Sequence, residues 1–542
     1  MLETTDPGKS KLNTNSSHMV RHALFMMAGT FTSRILGLLR EVMTAAYFGT
    51  TAKLDAFNIA YTLSNLFRQL LAEGALSAAF VPVFSNVLKE KGKDQAFSLA
   101  RQALSVLMIA AFIVTFTGII ISPLLVNLMA PGFDSELSAL ATNFTRLLFP
   151  FLFIVSIAAL AMGVLNSLGS FFLSSMAPAF SNLSFLIILP FLIPIWGIYG
   201  LIAAVLIGGI INLLSQWLWS KRMGITLLPE KPDLQDPNLK KMMQLFIPYA
   251  IGLSLNQVNP IISRMFASFL EEGAISALNY ANRIMQLPLG LFVIAISQAV
   301  LPQLSRISKT NIEEFRETLS DALRFALFIV LPVTIISFVC SDEIVHVLFV
   351  RGAFGESAWV TTSIALKMSI LGLPGMACST IIMRGLYALG HAKGALFNTL
   401  ISVVCTLIFS LLLLKPFGLA GLAFAPSIAF TIASIAGIFQ ITKELLKNRN
   451  SILSPTISFK LLQKVWITKI ALCLSALTVF MMLLKEMLVY DMSSTFIVRA
   501  TSLFLTLSIG TIMYALMTYV IKFDEWHWLR GAIKMNKKDN NP

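Results

Sequence analysis

Apolar runs long enough to cross a bilayer recur along almost the whole of this chain, and arginines interrupt several of them. A run of about 20 apolar residues spans the hydrocarbon as a helix, because inside lipid every backbone N–H and C=O must be satisfied within the segment. We count fourteen such spans, near residues 20–48, 58–88, 99–128, 139–167, 177–196, 199–220, 242–270, 275–304, 318–340, 358–390, 395–414, 418–442, 464–488 and 497–521. Charged residues make up 13% of the 542, against about 25% in a soluble domain. That leaves no room for a sizeable soluble domain. The expected class is an all-α polytopic membrane protein. Residues 1–19 are polar and are expected to form a disordered cytoplasmic terminus, without the charged, apolar and small-residue order of a cleaved leader.

On a soluble protein the net charge of +14 would point to nucleic acid; here its distribution reports topology. With the N-terminus inside, 28 of the 41 basic residues fall on inner segments, five on outer segments and eight within spans. Basic residues concentrate on the cytoplasmic side of membrane proteins, so both termini are expected inside and no nucleic acid is expected as a partner. The four cysteines (Cys340, Cys378, Cys405 and Cys473) lie in or beside apolar runs with no metal-ligand spacing. No P-loop, zinc motif or catalytic triad spacing is present, so neither cofactor nor metal is expected.

The chain also repeats itself. VPVFSNVLK (81–89) resembles LPQLSRISK (301–309), with Pro82 matching Pro302 at an offset of 220, and Pro150 matches Pro374 at 224. GVLNSLG (163–169) resembles GLYALG (385–390). Six spans separate the copies, so both enter the membrane in the same sense, as in transporters built from parallel repeats. The expected organisation is a six-helix lobe over 20–220, a cytoplasmic linker over 221–241 and a second six-helix lobe over 242–445. A linker over 446–463, two extra helices over 464–522 and a cytoplasmic tail over 523–542 follow. The segments 233–246 and 456–464 read as amphipathic helices lying in the interface. Pro123, Pro131, Gly132, Pro248, Pro260, Pro288 and Pro374 are candidate hinges or breaks.

The eight basic residues within spans are Arg34, Arg40, Arg68, Arg146, Arg264, Arg283, Lys367 and Arg384. A charge at the bilayer centre costs about 2.5–3.5 kcal/mol on insertion scales, so these side chains must line water or find partners. SRILGLLRE (33–41) carries Ser33, Arg34, Arg40 and Glu41. Arg34 and Glu41 are seven residues apart and share a helix face, whereas Arg40 points roughly 120° away. In the second span Asn65, Gln69 and Glu73 form a polar stripe at i, i+4 and i+8, with Arg68 beside it. The eighth span opens with YANRIMQLP, carrying Asn282, Arg283 and Gln286. Structural pairing, Arg34 with Glu41 for example, is the plain alternative to a functional role. It does not absorb the set, because Arg34, Arg40, Arg68 and Arg283 outnumber Glu41 and Glu73 four to two. Surplus guanidinium suits an anionic ligand, and its fork matches phosphate oxygens bidentately. A cation exporter would call instead for buried carboxylates or an aromatic cage.

At these residues the chain resembles the MurJ/MviN-type lipid II flippases of the multidrug/oligosaccharidyl-lipid/polysaccharide exporter superfamily. The resemblance runs from about residue 20 to 520. Beyond SRILGLLRE and YANRIMQLP it rests on FGTTAKLDAF (48–57), NLFRQLLAEGALSAAFVPVF (65–84), APGF (130–133) and FASFL (266–270). It implies fourteen helices in two six-helix lobes plus two C-terminal helices that shape a groove for a polyprenyl tail. It implies a cationic cavity for the pyrophosphate and sugar-peptide head group, with the essential arginines at Arg34, Arg40, Arg68 and Arg283. Ser33, Glu41, Asp55, Asn65, Glu73 and Asn282 are the expected supporting or gating residues, with Asp55 in the loop after the first helix. Two positions depart from the family pattern: Asn282 stands where Asp is common, and Gln286 stands at a nearby position where the family has Glu. A local ion pair with Arg283 is therefore in question. The resemblance implies a transporter rather than an enzyme, in the bacterial inner membrane. Its partners would be lipid II, membrane lipids and, among proteins, a cell-wall synthesis complex. The rival readings are a flippase for another polyprenyl-diphosphate-linked glycan, a multidrug or cation antiporter, a transferase acting on a lipid diphosphate, and a scaffold.

Overall fold

The structure, a computed structural model, describes Gly29 and residues 32–70, 74–254, 257–308, 311–447, 463–487 and 494–528. The expected disorder of 1–19, most of the linker 446–463 with the amphipathic segment at 456–464, and the tail beyond 528 lie outside the described residues, as does Glu73. Among the described residues every regular element is helical, which is what a lipid solvent requires of an uninterrupted backbone. Among the described residues nine helices are long and apolar enough to cross a membrane, or ten with the bent pair Glu356–Ile370 and Leu373–Ala388 counted as one span.

The described chain forms two compact units, Met1–Gln257 and Val258–Pro542. The first contains α1 (32–48), α2 (Ala52–Arg68), α3 (Gly74–Lys91), α4 (Lys93–Ile120), α5 (Ser122–Met129), α6 (Ser135–Ser167), α7 (Phe171–Trp196), α8 (Ile198–Arg222) and α9 (Pro237–Ser254). Helix α6 is its centre and packs against α2, α3, α4, α5, α7 and α8. Asp134 starts it as an N-cap, accepting from the Leu137 N–H at 2.7 Å. Much of the first unit's core lies between α3, α4, α6 and α9, around Phe80, Phe84, Leu104 and Leu160. The connection between α8 and α9 joins that core through Ile225 and Leu227. It is tied to α4 by Glu230, which accepts from Arg101 Nε and Ser98 Oγ, each at 2.7 Å. Those two donors, the guanidinium first, hold the Glu230 carboxyl below the usual carboxylate range. The helix expected at 233–246 starts at Pro237, because Asp233 and Asp236 close turns on the Gln235 and Asn238 N–H groups.

The second unit contains α10 (Val258–Ala267), α11 (Ala274–Pro288), α12 (Ile294–Ile307), α13 (Ile312–Val339), α14 (Ser341–Phe349), α15 (Glu356–Ile370), α16 (Leu373–Ala388), α17 (Ala392–Lys447), α18 (Lys464–Met487) and α19 (Phe496–Val520). Helix α16 packs against α12, α13 and α17, and α13 also carries α18 and α19. The span expected at 242–270 is divided between α9 and α10, with Pro260 in the first turn of α10, where a missing N–H is tolerated. Pro374 opens α16 just after a 43° bend. The prolines of α7, Pro178, Pro190 and Pro194, lie inside one helix.

The repeat reappears in backbone detail. Between α7 and α8 Gly197 takes φ 54° and ψ −128°, and inside α17 Gly418 takes φ 51° and ψ −128°, at an offset of 221. Only glycine enters that region without strain, and each residue reverses the chain between two membrane passes. The turn between α2 and α3 widens to π-helical spacing at Gln69–Leu70, and that between α11 and α12 does so at Leu289–Val293. The offset here is 220.

The last two helices are fixed to the second unit at both ends. At the end nearer α14, Lys485 Nζ lies 2.7 Å from Glu343 and 3.7 Å from Asp342. Arg499 meets His346 Nδ1 at 3.3 Å there. At the other end the buried Arg324 of α13 holds Glu525 at 3.1 Å and Asp524 at 3.3 Å. Trp466 donates to the same Glu525 carboxylate at 2.8 Å. Residues 523–528, expected to begin a cytoplasmic tail, are therefore packed, with Phe523 and Glu525 buried.

Candidate functional site

In the first unit the expected site residues lie on α1 and α2. Arg34 is half-buried and makes no hydrogen bond or ion pair with any described residue. Glu41, which shares its face, is taken by Arg40 instead: Arg40 Nη2 reaches Glu41 Oε1 at 3.0 Å. The direction of the Cβ atoms favours Arg34, but a long guanidinium stem swings sideways to the adjacent residue. Arg40 also donates to Asn182 Oδ1 of α7 at 3.5 Å. Its guanidinium carbon lies 5.7 Å from the centre of the Tyr61 ring and 5.6 Å from that of Phe185, within cation–π range. Asn182 donates in turn to the Ser33 carbonyl at 3.2 Å. Arg68, at the end of α2, has its Nε on Asn65 Oδ1 at 2.7 Å, the i, i+3 contact that a helix surface allows.

Asp55 sits inside the first turn of α2, rather than in a loop, and is 3% exposed. There a carboxylate faces the positive end of the helix dipole. The helix starts six residues ahead of the expected span, with Thr51 as its N-cap. The widened spacing at residues 69 and 70 falls on Gln69 of the expected stripe, and Glu73 lies outside the described residues.

In the second unit Arg283 and Asn282 are half-buried on α11 and Gln286 is exposed. Arg283 has no ion pair or hydrogen bond among the described residues. The other intramembrane bases divide cleanly. Lys367 pairs with Asp342 at 2.8 Å, Arg146 donates to Ser122 at 3.1 Å, and Arg264 reaches the Pro260 carbonyl of its own helix at 3.4 Å. Arg384 makes no such contact with a described residue. No group of three or more His, Cys, Asp or Glu side chains placed to hold a metal occurs among the described residues.

The residues that sequence reading passed over are Asn182, Tyr61 and Phe185. The available signal was Asn182 itself, a lone amide within the apolar run that forms α7. An amide there needs partners.

The model of the family described as lipid II flippase MurJ matches residues 44–501, which includes Arg68 and Arg283 and begins just after Arg34 and Arg40. A protein of Rhizobium tropici described as a probable lipid II flippase MurJ is 34% identical over 420 residues, 76% of this chain and 78% of the relative. One of Bdellovibrio bacteriovorus with the same description is 32% identical, covering 79% and 82%. A solved lipid II flippase MurJ in an inward closed conformation superposes with TM-score 0.74 at 25% identity, over 92% of this chain and 98% of that one. An inward-facing multidrug transporter of the MATE family shares the fold, with TM-score 0.66 at 16% identity over 79% of this chain and all of that one. This chain belongs to the lipid II flippase MurJ family.

Proposed function

We propose that this protein moves lipid II from the cytoplasmic to the outer leaflet of the bacterial inner membrane, and that Arg34, Arg40, Arg68 and Arg283 receive its diphosphate. The observation that carries the site is the state of Arg34 and Arg283. Both are half-buried in membrane helices, and neither has an acidic partner among the described residues. A guanidinium in that position is stabilised by an anion that arrives.

The physical obstacle to flipping is the head group, which is charged and heavily hydrated. Fixed guanidinium, amide and hydroxyl donors replace its water as it leaves the cytoplasm. A site open to one side at a time then releases it outside. Ser33, Asn65 and Asn282 add neutral donors. Glu41, Asp55 and Glu73 set the charge balance around the arginines. In this reading no covalent step occurs, both termini face the cytoplasm, α18 and α19 flank the polyprenyl tail, and delivery feeds a cell-wall synthesis complex. The fold shared with multidrug exporters does not separate the two activities. The surplus of arginine over carboxylate favours the anionic lipid.

The test is depletion of the protein in its own cell, followed by measurement of lipid II exposed on the outer leaflet. Exposure should fall while total lipid II rises. Unchanged exposure in a cell without a second flippase would refute the proposal.

A further inference from the structure

We infer that Asn182 of α7 is a positioning residue for the head-group site, acting by holding the guanidinium of Arg40 in place. This rests on the reading above that Arg40 meets the diphosphate.

The amide is engaged at both ends by one helix. Its oxygen accepts from Arg40 Nη1 at 3.5 Å and its nitrogen donates to the Ser33 carbonyl at 3.2 Å. Chemistry fixes that orientation, because a flipped amide would set N–H against guanidinium and oxygen against carbonyl. Ser33 and Arg40 are seven residues apart, about 10 Å along a helix axis. They converge because the carbonyl points forward along the helix and the arginine stem points back. Asn182 therefore reads two turns of α1 at once, and Arg34 follows directly on the residue it holds.

Arg40 is enclosed on its other sides. Glu41 takes Nη2, and the rings of Tyr61 and Phe185 lie against the guanidinium. Of its five N–H groups, Glu41 and Asn182 engage two in these contacts. A flexible arginine would have to be ordered when the ligand binds; this one is ordered beforehand. An apolar residue at 182 would suit the surrounding helix better and would leave Nη1 free to turn. Arg34 has no such enclosure, so the two arginines of SRILGLLRE differ: one is preset and the other adapts.

The experiment uses the full-length protein in detergent with purified lipid II. Binding and thermal unfolding are measured for Asn182→Leu, Asn182→Asp, Arg40→Gln and the double variant Asn182→Leu/Arg40→Gln. Asn182→Leu should weaken binding about tenfold, the weight of one hydrogen bond to a charged group, with the unfolding temperature unchanged. Asn182→Asp keeps an acceptor for Arg40 but sets an oxygen against the Ser33 carbonyl, and should recover only part of the affinity. In the Arg40→Gln background Asn182→Leu should add nothing. Equal losses in both backgrounds would overturn the inference, because the effect would not pass through Arg40. So would a weakened Arg40→Gln beside an unaffected Asn182→Leu, which would leave the head-group reading intact. Unchanged binding in Arg40→Gln would remove the head-group role of Arg40 and this inference with it.

Discussion

A basic side chain inside a membrane helix can be matched by a carboxylate or left open to a ligand, and this protein contains both cases. Lys367 and Arg324 are matched by carboxylates, so their charges are structural. Arg34 and Arg283 are not matched by any described residue. Because a bidentate fork is lost when arginine becomes lysine, Arg34→Lys, Arg68→Lys and Arg283→Lys should each slow lipid II transport about tenfold or more, although the charge stays. Flipping measured in reconstituted vesicles decides it: wild-type rates in all three variants would sink the clamp. The identity of these residues was legible in the sequence, since a charge in an apolar run stands out. The partner of Arg40 was not. Glu41 follows from adjacency, but Asn182 lies 142 positions away, and only the packing of α7 brings it to α1. The same limit explains Arg324, which is 5% exposed and holds Glu525 from 201 positions away.

At the scale of elements, the two C-terminal helices are held to α13 and α14 by ionic contacts at both ends. Removing one partner of a buried pair leaves the other unpaired and typically costs about 3–5 kcal/mol. Glu525→Ala should therefore loosen α18 and α19 and open the chain to protease after residue 463, as read by limited proteolysis. Arg324→Met combined with Glu525→Leu should restore much of the protection, since apolar replacement of both partners is often neutral. The connection that carries Glu230 answers to pH instead. Its carboxyl titrates below the usual carboxylate value in the folded protein, with Arg101 the main cause. The contribution is thus in full force above about pH 4.3 and fades as pH falls through the folded-state value. Hydrogen exchange across 225–236 should accelerate as pH falls below about 4, beyond the intrinsic pH dependence of exchange. Glu230→Gln should exchange fast already at pH 7. The widened turn at Leu289–Val293 holds one residue more than an α-helix needs. Deleting Leu291 should straighten it, preserving membrane insertion and lipid II binding while stopping transport if the span bends there. Retained transport would remove the turn from the mechanism.

At the scale of the whole molecule, the repeat was visible as three weak matches, and the structure explains why they were weak. What the two units share is geometry: a left-handed glycine reversing the chain at 197 and at 418, and a widened turn after residues 68 and 288. Lipid-facing residues between those points need only be apolar, so their identities drift. Glycine and proline carry the signal because backbone form constrains them. The spans were legible for the same reason, and their breaks at Pro260 and Pro374 follow from proline's missing N–H. The energetics of the cycle follow from what moves. In the proposed cycle the arginines stay with α1, α2 and α11, and the net charge delivered outside belongs to the lipid. A diphosphate carrying two negative charges outward gains roughly 4–5 kcal/mol per 100 mV of potential negative inside. In vesicles oriented as in the cell, imposing that potential with a potassium gradient and valinomycin should shift lipid II strongly towards the outer leaflet. Reversing the gradient should hold it inside. A distribution indifferent to both would mean that an equal positive charge travels with each head group, and the arginines could then not be the stationary part of the device.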